Sequence, residues 1–231
     1  MRATSNRDMA RYRFLVGCAE RVVRRIMKCK NIMEIRKVDN KYLPERIVEY
    51  LNRDVNEQDY AESLGINAEA EKILKAEEQR ILQQLENEER DVKLLLDMVE
   101  VERQLGSLFY YIGGMSYVIS EGHFNIAVNC MKEVMAFDYS SENEEEYARI
   151  LMEYGTVLVK IMELNTVPNS VISTSEADAA AVVREAVDIY RGNLDYQDEE
   201  SVKQYRDSLQ LFGEACYNHE ENLNENQEEY N

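Results

Sequence analysis

Tryptophan is absent from the 231-residue chain, proline and histidine occur twice each, and glycine occurs nine times. A sheet protein spends Gly and Pro on its turns, and typical usage is about 7% and 5%. Counts this low predict an all-α chain. The four cysteines, Cys18, Cys29, Cys130 and Cys216, show neither zinc-ligand spacing nor a dense disulfide framework. They read as small apolar core residues of a reducing compartment. His123 and His219 stand at no metal-ligand spacing, and His123 reads as an exposed turn residue. The longest uncharged run, Gln104 to Ser120, has 17 residues and carries Gly, Ser and Tyr. A membrane span needs about 20 apolar residues. The N-terminus has no apolar stretch of the secretory-signal type.

Catalytic patterns are missing too. Gly114-Met115-Ser116-Tyr117-Val118 lacks the second glycine of a nucleophile elbow. Gly113-Gly114 is no phosphate-binding loop, and close helix–helix approach explains it better. The many carboxylate pairs read as solvated helix faces. The expectation is a protein that is not an enzyme and that takes neither cofactor nor metal.

What the chain has in plenty is acid. Net charge is −18, unevenly spread. Residues 1–47 hold 13 basic and 5 acidic residues, while the remainder holds 14 basic and 40 acidic. A body this acidic argues against direct contact with nucleic-acid phosphates and favours a basic protein partner. Solubility alone is the plainer explanation.

In chain order, residues 1–8 are polar and read as frayed. Tyr12, Leu15, Val16, Ala19, Val22, Val23 and Ile26 follow helical spacing among Arg11, Arg21, Arg24, Arg25 and Lys28. This basic amphipathic helix is a core helix with a solvated face, a nuclear-import patch, an organelle presequence (which Asp8 and Glu20 oppose), or a segment that docks on the acidic body. Pro44 is placed to start a helix over about 45–51. Gly65 and Asn67 break the pattern, and Asn67 can cap the next helix. From Ala68 to Leu105, apolar residues at helical spacing predict one long amphipathic helix, or two broken near Asn87, forming a hairpin or arm.

The stretch Tyr111–Val134 then reads as two short helices joined at Glu121-Gly122. Tyr111, Gly114, Met115 and Val118 share one side; Phe124, Ala127, Met131 and Val134 share another. Gly114 and Ala127 let the backbones approach. This is the layout of a tetratricopeptide unit. A second copy begins Leu151-x2-Tyr154-Gly155-x2-Leu158 and continues Ala179-x3-Val183 with Ala186; a third begins Leu209-x2-Phe212-Gly213-x2-Cys216. The two helices are offset by 16 residues in the first unit and 28 in the second, so 12 extra residues split the second. They centre on Asn165–Ser175, where Pro168 and Ser/Thr/Asn residues are loop chemistry. Ser173 with Glu176 is a capping box for the next helix. The predicted architecture is thus all-α, with an N-terminal helical extension over 1–106 and tetratricopeptide-like hairpin repeats (an α-solenoid) over 107–231. The extension divides into a basic 1–47 and an acidic long helix 68–105. The second repeat is interrupted at 165–175, and the third lacks its second helix.

With its split second repeat, the chain resembles the nuclear autoantigenic sperm protein family of histone chaperones and its fungal relatives. The resemblance covers about residues 107–221. It is carried by GHFNIAVNCMKEV at 122–134, EYARILMEYGTVLVKIMELN at 146–165, and AAAVVREAVDIYRG through QLFGEACYNHE over 179–220. In that family an acidic tract interrupts the second repeat and helps hold histones. Here Asn165–Ser175 contains no acid, and the acids lie at Glu142, Glu144, Glu145 and Glu146, at Asp195, Asp198, Glu199 and Glu200, and after Glu220. The resemblance implies an acidic helical-repeat histone chaperone, escorting histones three and four in chromatin assembly in the nucleus. Its partners would be core histones, with no nucleic acid and no membrane. Groove residues would come from first helices: Tyr117, Glu153, Glu214 and Tyr217. The incomplete third unit leaves a face for self-association.

The alternative is a generic protein-interaction scaffold or co-chaperone adaptor, in the cytoplasm. A carboxylate clamp would need Lys and Asn on first helices. The matching positions are Ile112 and Ser116, Met152 and Thr156, and Gln210 and Glu214, which carry neither.

Overall fold

The computed structural model describes residues 35–53, 60–87, 91–165 and 178–228, all within the compact unit 33–231. The expected basic helix near 11–30, Cys18, Cys29, the Ser173–Glu176 capping box and nearly all of the 165–175 interruption lie outside the described residues. Those residues form seven α-helices and no strand. They are α1 (Glu45–Leu51), α2 (Tyr60–Asn87), α3 (Val92–Ile112), α4 (Ser116–Phe137), α5 (Ser141–Asn165), α6 (Ala179–Gly192) and α7 (Glu199–Glu228). The chain is all-α, and its helices pack in the manner of a helical repeat, as the composition and periodicity predict.

Each helix packs on the next, and α5 also packs on α7. Side-chain contacts join α3 to α5 through Arg103–Glu153, and α2 to α4 through Lys75–His123. The result is two layers: α3, α5 and α7 in one, α2, α4 and α6 in the other. Two apolar clusters fill it. One joins α4 to α7; the other joins α1, α2 and α3. α3 belongs to both. Leu95 and Val99 point into the first cluster, and Leu94, Met98, Val101 and Leu105 into the second.

Local chemistry explains most boundaries. Pro44 starts α1 at the expected residue, its fixed φ suiting a helix entrance. Asp91 and Asp178 cap α3 and α6, accepting from Lys93 N at 2.8 Å and Ala180 N at 2.9 Å. The break near Asn87 is real: α2 ends there. Gly65 and Asn67, however, do not interrupt α2. Gly65 faces open space, and Ala70, Leu74 and Ile81 fix the helix by burial.

The first repeat pair forms, but not between the segments expected. Glu121-Gly122 lies inside the continuous helix α4. The turn is Gly113-Gly114, with φ of +78° and +61°, left-handed values that glycine adopts without strain. Tyr111 and Met115 therefore sit at this turn, 40% and 68% exposed. The partner of α4 is α3, and a boundary drawn between 106 and 107 falls inside α3. Phe124, Ala127, Met131 and Val134 do share one fully buried face, as their spacing predicts.

Close approach also shifts by half a helix. A Cβ on Gly106 would stand 2.7 Å from the Phe124 ring, and one on Gly155 would stand 2.3 Å from Val183 Cγ2. These two glycines are equivalent positions, each receiving a side chain from the following helix. Gly113 and Gly114 do not serve that purpose. Gly213 occupies the third such position and has nothing within 4 Å.

Candidate partner-binding site

Nearly every residue of α3 from Leu94 to Phe109 is buried, including Glu102, Arg103, Gln104 and Ser107. A helix packed on several sides must satisfy its polar groups through its neighbours. Glu102, Arg103 and Gln104 reach partners in three different directions. Glu102 Oε2 lies 2.6 Å from His123 Nδ1 on α4. Arg103 forks onto both oxygens of Glu153 on α5, at 2.9 and 2.8 Å, and also bonds Glu146. Gln104 donates to Asp39 at 2.6 Å. Ser120 of α4 donates to the Gly106 carbonyl at 2.6 Å. Desolvation works against the Arg103 charge, but Glu153 and Glu146 hold its pKa above the ordinary value.

His123 is thus not an exposed turn residue. It is 6% exposed, stacked on Phe109 at 5.6 Å, with Nε2 3.5 Å from Lys75 Nζ. The sequence carries one signal of this: His123 stands three residues after Ser120 and four before Ala127, at the spacing of one helix face, and both are fully buried. Cys130 packs beside the same cluster, and burial, with Glu102 and Glu133 nearby, pushes its thiol up to about 11. Cys130 and Cys216 are half-buried. His219 lies beyond the side chains described.

Of the candidate groove residues, Glu153 is 1% exposed: both its oxygens take Arg103, and Oε1 also accepts from the Arg36 amide at 3.4 Å, so it is covered rather than lining an open groove. Tyr117 sits half-buried in α4 rather than on a first helix, its ring 5.3 Å from Tyr110. Glu214 accepts from Gln210 at 3.2 Å on α7, and Tyr217 is 39% exposed on the same helix.

The acidic groups are brought together. Glu142, Glu144, Glu145 and Glu146 form the first turns of α5; Asp195 and Asp198 precede α7, and Glu199 and Glu200 open it. Asn193 donates to Glu144 at 3.0 Å, and Gln204 donates to Glu145 at 3.4 Å, tying the two segments into one edge. Carboxylates at helix N-termini also meet the positive ends of the helix dipoles. Asp198 accepts from Glu200 N and Ser201 N at 3.2 Å, and Asp195 accepts from Gln197 N at 2.8 Å. The Asn193 amide and the Tyr139 hydroxyl hold Glu144 below the ordinary carboxylate range. Arg149 partly neutralises Glu145 and Glu146, whereas Glu142, Glu199 and Glu200 are exposed.

Beside this edge opens a groove of about 950 Å³ along the outer side of α6. Met135, Ile189 and Phe212 give it apolar surface, and Glu144, Glu185 and Asp188 give it acid. Arg184 lies over the Phe212 ring at 6.0 Å. Among the described residues, no three His, Cys, Asp or Glu side chains are grouped to hold a metal, and no helix is long and apolar enough to cross a membrane.

Set against known proteins, the chain matches no family model, no curated protein and no solved structure. Its class rests on its own geometry: an all-helical protein of antiparallel pairs stacked as repeats.

Proposed function

We propose that the chain is an acidic helical-repeat binding protein that takes up basic proteins. Following the resemblance of its split repeat, its cargo is core histones three and four during chromatin assembly in the nucleus. The observation that carries this reading is the meeting of two sequence-distant acidic segments, 142–146 and 195–200, at one edge beside an apolar-lined groove. Acids here neutralise a Lys/Arg-rich partner, raise its capture rate, and compete with DNA for it.

The test is a pull-down against purified histones at rising salt. Charge-led capture fades steeply as the Debye length falls from about 10 Å at 0.1 M to about 3 Å at 1 M. Replacing Glu142, Glu145, Asp198, Glu199 and Glu200 with Gln or Asn lowers capture without unfolding the chain. Glu146 and Glu153 are kept, because Arg103 needs them. Equal capture by wild type and variant would remove the acidic edge from the proposal.

A further inference from the structure

Residues 35–43 form no helix, yet Ile35, Val38 and Leu43 are 2%, 4% and 3% exposed. This segment lies against the face of α3 that points away from α4. On α3, Asp97, Glu100, Gln104 and Tyr111 are spaced three, four and seven apart and share one side. Gly106, which receives Phe124 of α4, is on the other side.

The contacts are those of a bound peptide. Tyr111 donates its hydroxyl to the Ile35 carbonyl at 2.5 Å. The Arg36 amide donates to Glu153 Oε1 of α5 at 3.4 Å, and its guanidinium reaches Glu100 at 3.2 Å. Gln104 donates to Asp39, and Ile35 buries its side chain in the core cluster of α4 to α7. Two of these contacts read main chain and two read charge, the mixture by which extended peptides are recognised. Gln104 Oε1 is buried with no hydrogen-bond partner, so the segment leaves one acceptor of the cleft unused.

We infer that this face of α3 and α5 is a cleft for a non-helical basic peptide of the pattern hydrophobe–Arg–x–hydrophobe. Ile35-Arg36-Lys37-Val38 fills it as an internal competitor that a partner segment displaces. The inference rests on the reading of the chain as a binding protein and names a second recognition element for it, apart from the acidic edge. Tethering gives the internal segment an effective concentration that a free peptide must exceed, so the wild-type cleft is self-blocked.

A fluorescent synthetic peptide of residues 33–41 tests this by anisotropy on the full chain. Arg36 is 45% exposed, so Arg36→Ala weakens the internal segment without opening the core; Asp39→Ala is a second release variant, freeing Gln104. Both release variants bind the peptide at least about ten-fold tighter than wild type, in line with losing a tethered competitor. Adding Glu100→Gln to Arg36→Ala reverses the gain. A peptide that binds wild type and both folded release variants equally, or binds none, overturns the cleft. Neither result bears on histone capture at the acidic edge, which the pull-down reads separately.

Discussion

Arg103 illustrates how buried charge constrains this chain. It is 2% exposed, and two carboxylates compensate it. Removing one partner of such a pair strands the other, at a cost of about 3–5 kcal/mol. Arg103→Ala is therefore expected to be among the most destabilising single changes. The pair Arg103→Met with Glu153→Leu should recover most of that loss, because an apolar pair of similar volume replaces the buried charges while the part-exposed Glu146 keeps Arg149. Urea denaturation of the two variants checks both statements. Gly155 and Gly213 give a second contrast. Gly155→Ala drives a methyl into Val183 and should cost about 1–3 kcal/mol. Gly213→Ala meets nothing and should be neutral or stabilising by up to about 1 kcal/mol, the helix-propensity gain. The same residues explain a misplacement. Where the second and third repeats read Leu151-x2-Tyr154-Gly155 and Leu209-x2-Phe212-Gly213, the first reads Glu102-x2-Leu105-Gly106. A carboxylate stands in the expected Leu slot, paired with His123 across the helix interface. A pattern built on apolar residues passes over Gly106 and settles on Gly114. Buried polar pairs are legible only once both partners are in place.

At the level of elements, strong periodicity and the Pro44 helix start are legible in the sequence, whereas weak breakers and the side-chain caps Asp91 and Asp178 are not. Pro44 marks the start of α1, and the spacing around Asn87 leaves the α2–α3 break as one of two readings, of which the structure takes the broken one. Gly65 and Gly122 resembled breaks, but a helix-interior glycine costs only about 1 kcal/mol. Burial of Ser120, His123 and Phe124 around Gly122 outweighs that. The segment 35–43 gives no periodic signal, because it forms no helix and its anchors lie 56 and 65 residues away, beyond any local pattern. One of those anchors makes a pH prediction. Lys41 Nζ lies 2.9 Å and the Tyr42 hydroxyl 3.2 Å from Asp97 Oδ1. Burial would raise Asp97, but Lys41 and Tyr42 outweigh it and hold the carboxyl below 3.8. Burial would lower Lys41, but Tyr42 and Asp97 hold it above 10.5. A depressed carboxylate stabilises above its unfolded value and loses that as pH falls through the folded one. A raised ammonium stabilises below its unfolded value and loses that as pH rises through the folded one. The melting-temperature gap between wild type and Asp97→Asn should thus hold steady at neutral pH. It should shrink once the pH drops below 3.8, and again above 10.5. A gap that stayed constant at both extremes would mean that the contact contributes no charge energy.

For the whole molecule, charge sets two opposite responses to salt. The chain carries −18, and the part beyond residue 47 is more acidic still. Like charges on a compact body repel, and screening relieves that repulsion. Exposed ion pairs such as Arg149–Glu145 and Lys203–Glu200 lose little by being screened, since each is worth about 0–1 kcal/mol at most. The buried Arg103–Glu153 pair is out of reach of mobile ions. Added salt should therefore stabilise the fold. Going from about 10 mM to about 300 mM NaCl shortens the Debye length from roughly 30 Å to under 10 Å. The melting temperature should rise by a few degrees, the equivalent of about 1 kcal/mol for a chain of this size. Capture of a basic partner runs the other way and weakens over the same range. The two measurements together separate the causes: binding lost while the melting temperature climbs is screening of the acidic edge, and binding lost together with a falling melting temperature is unfolding. A fold that melts lower as salt is added would show that attractive surface pairs, rather than self-repulsion, dominate its electrostatics.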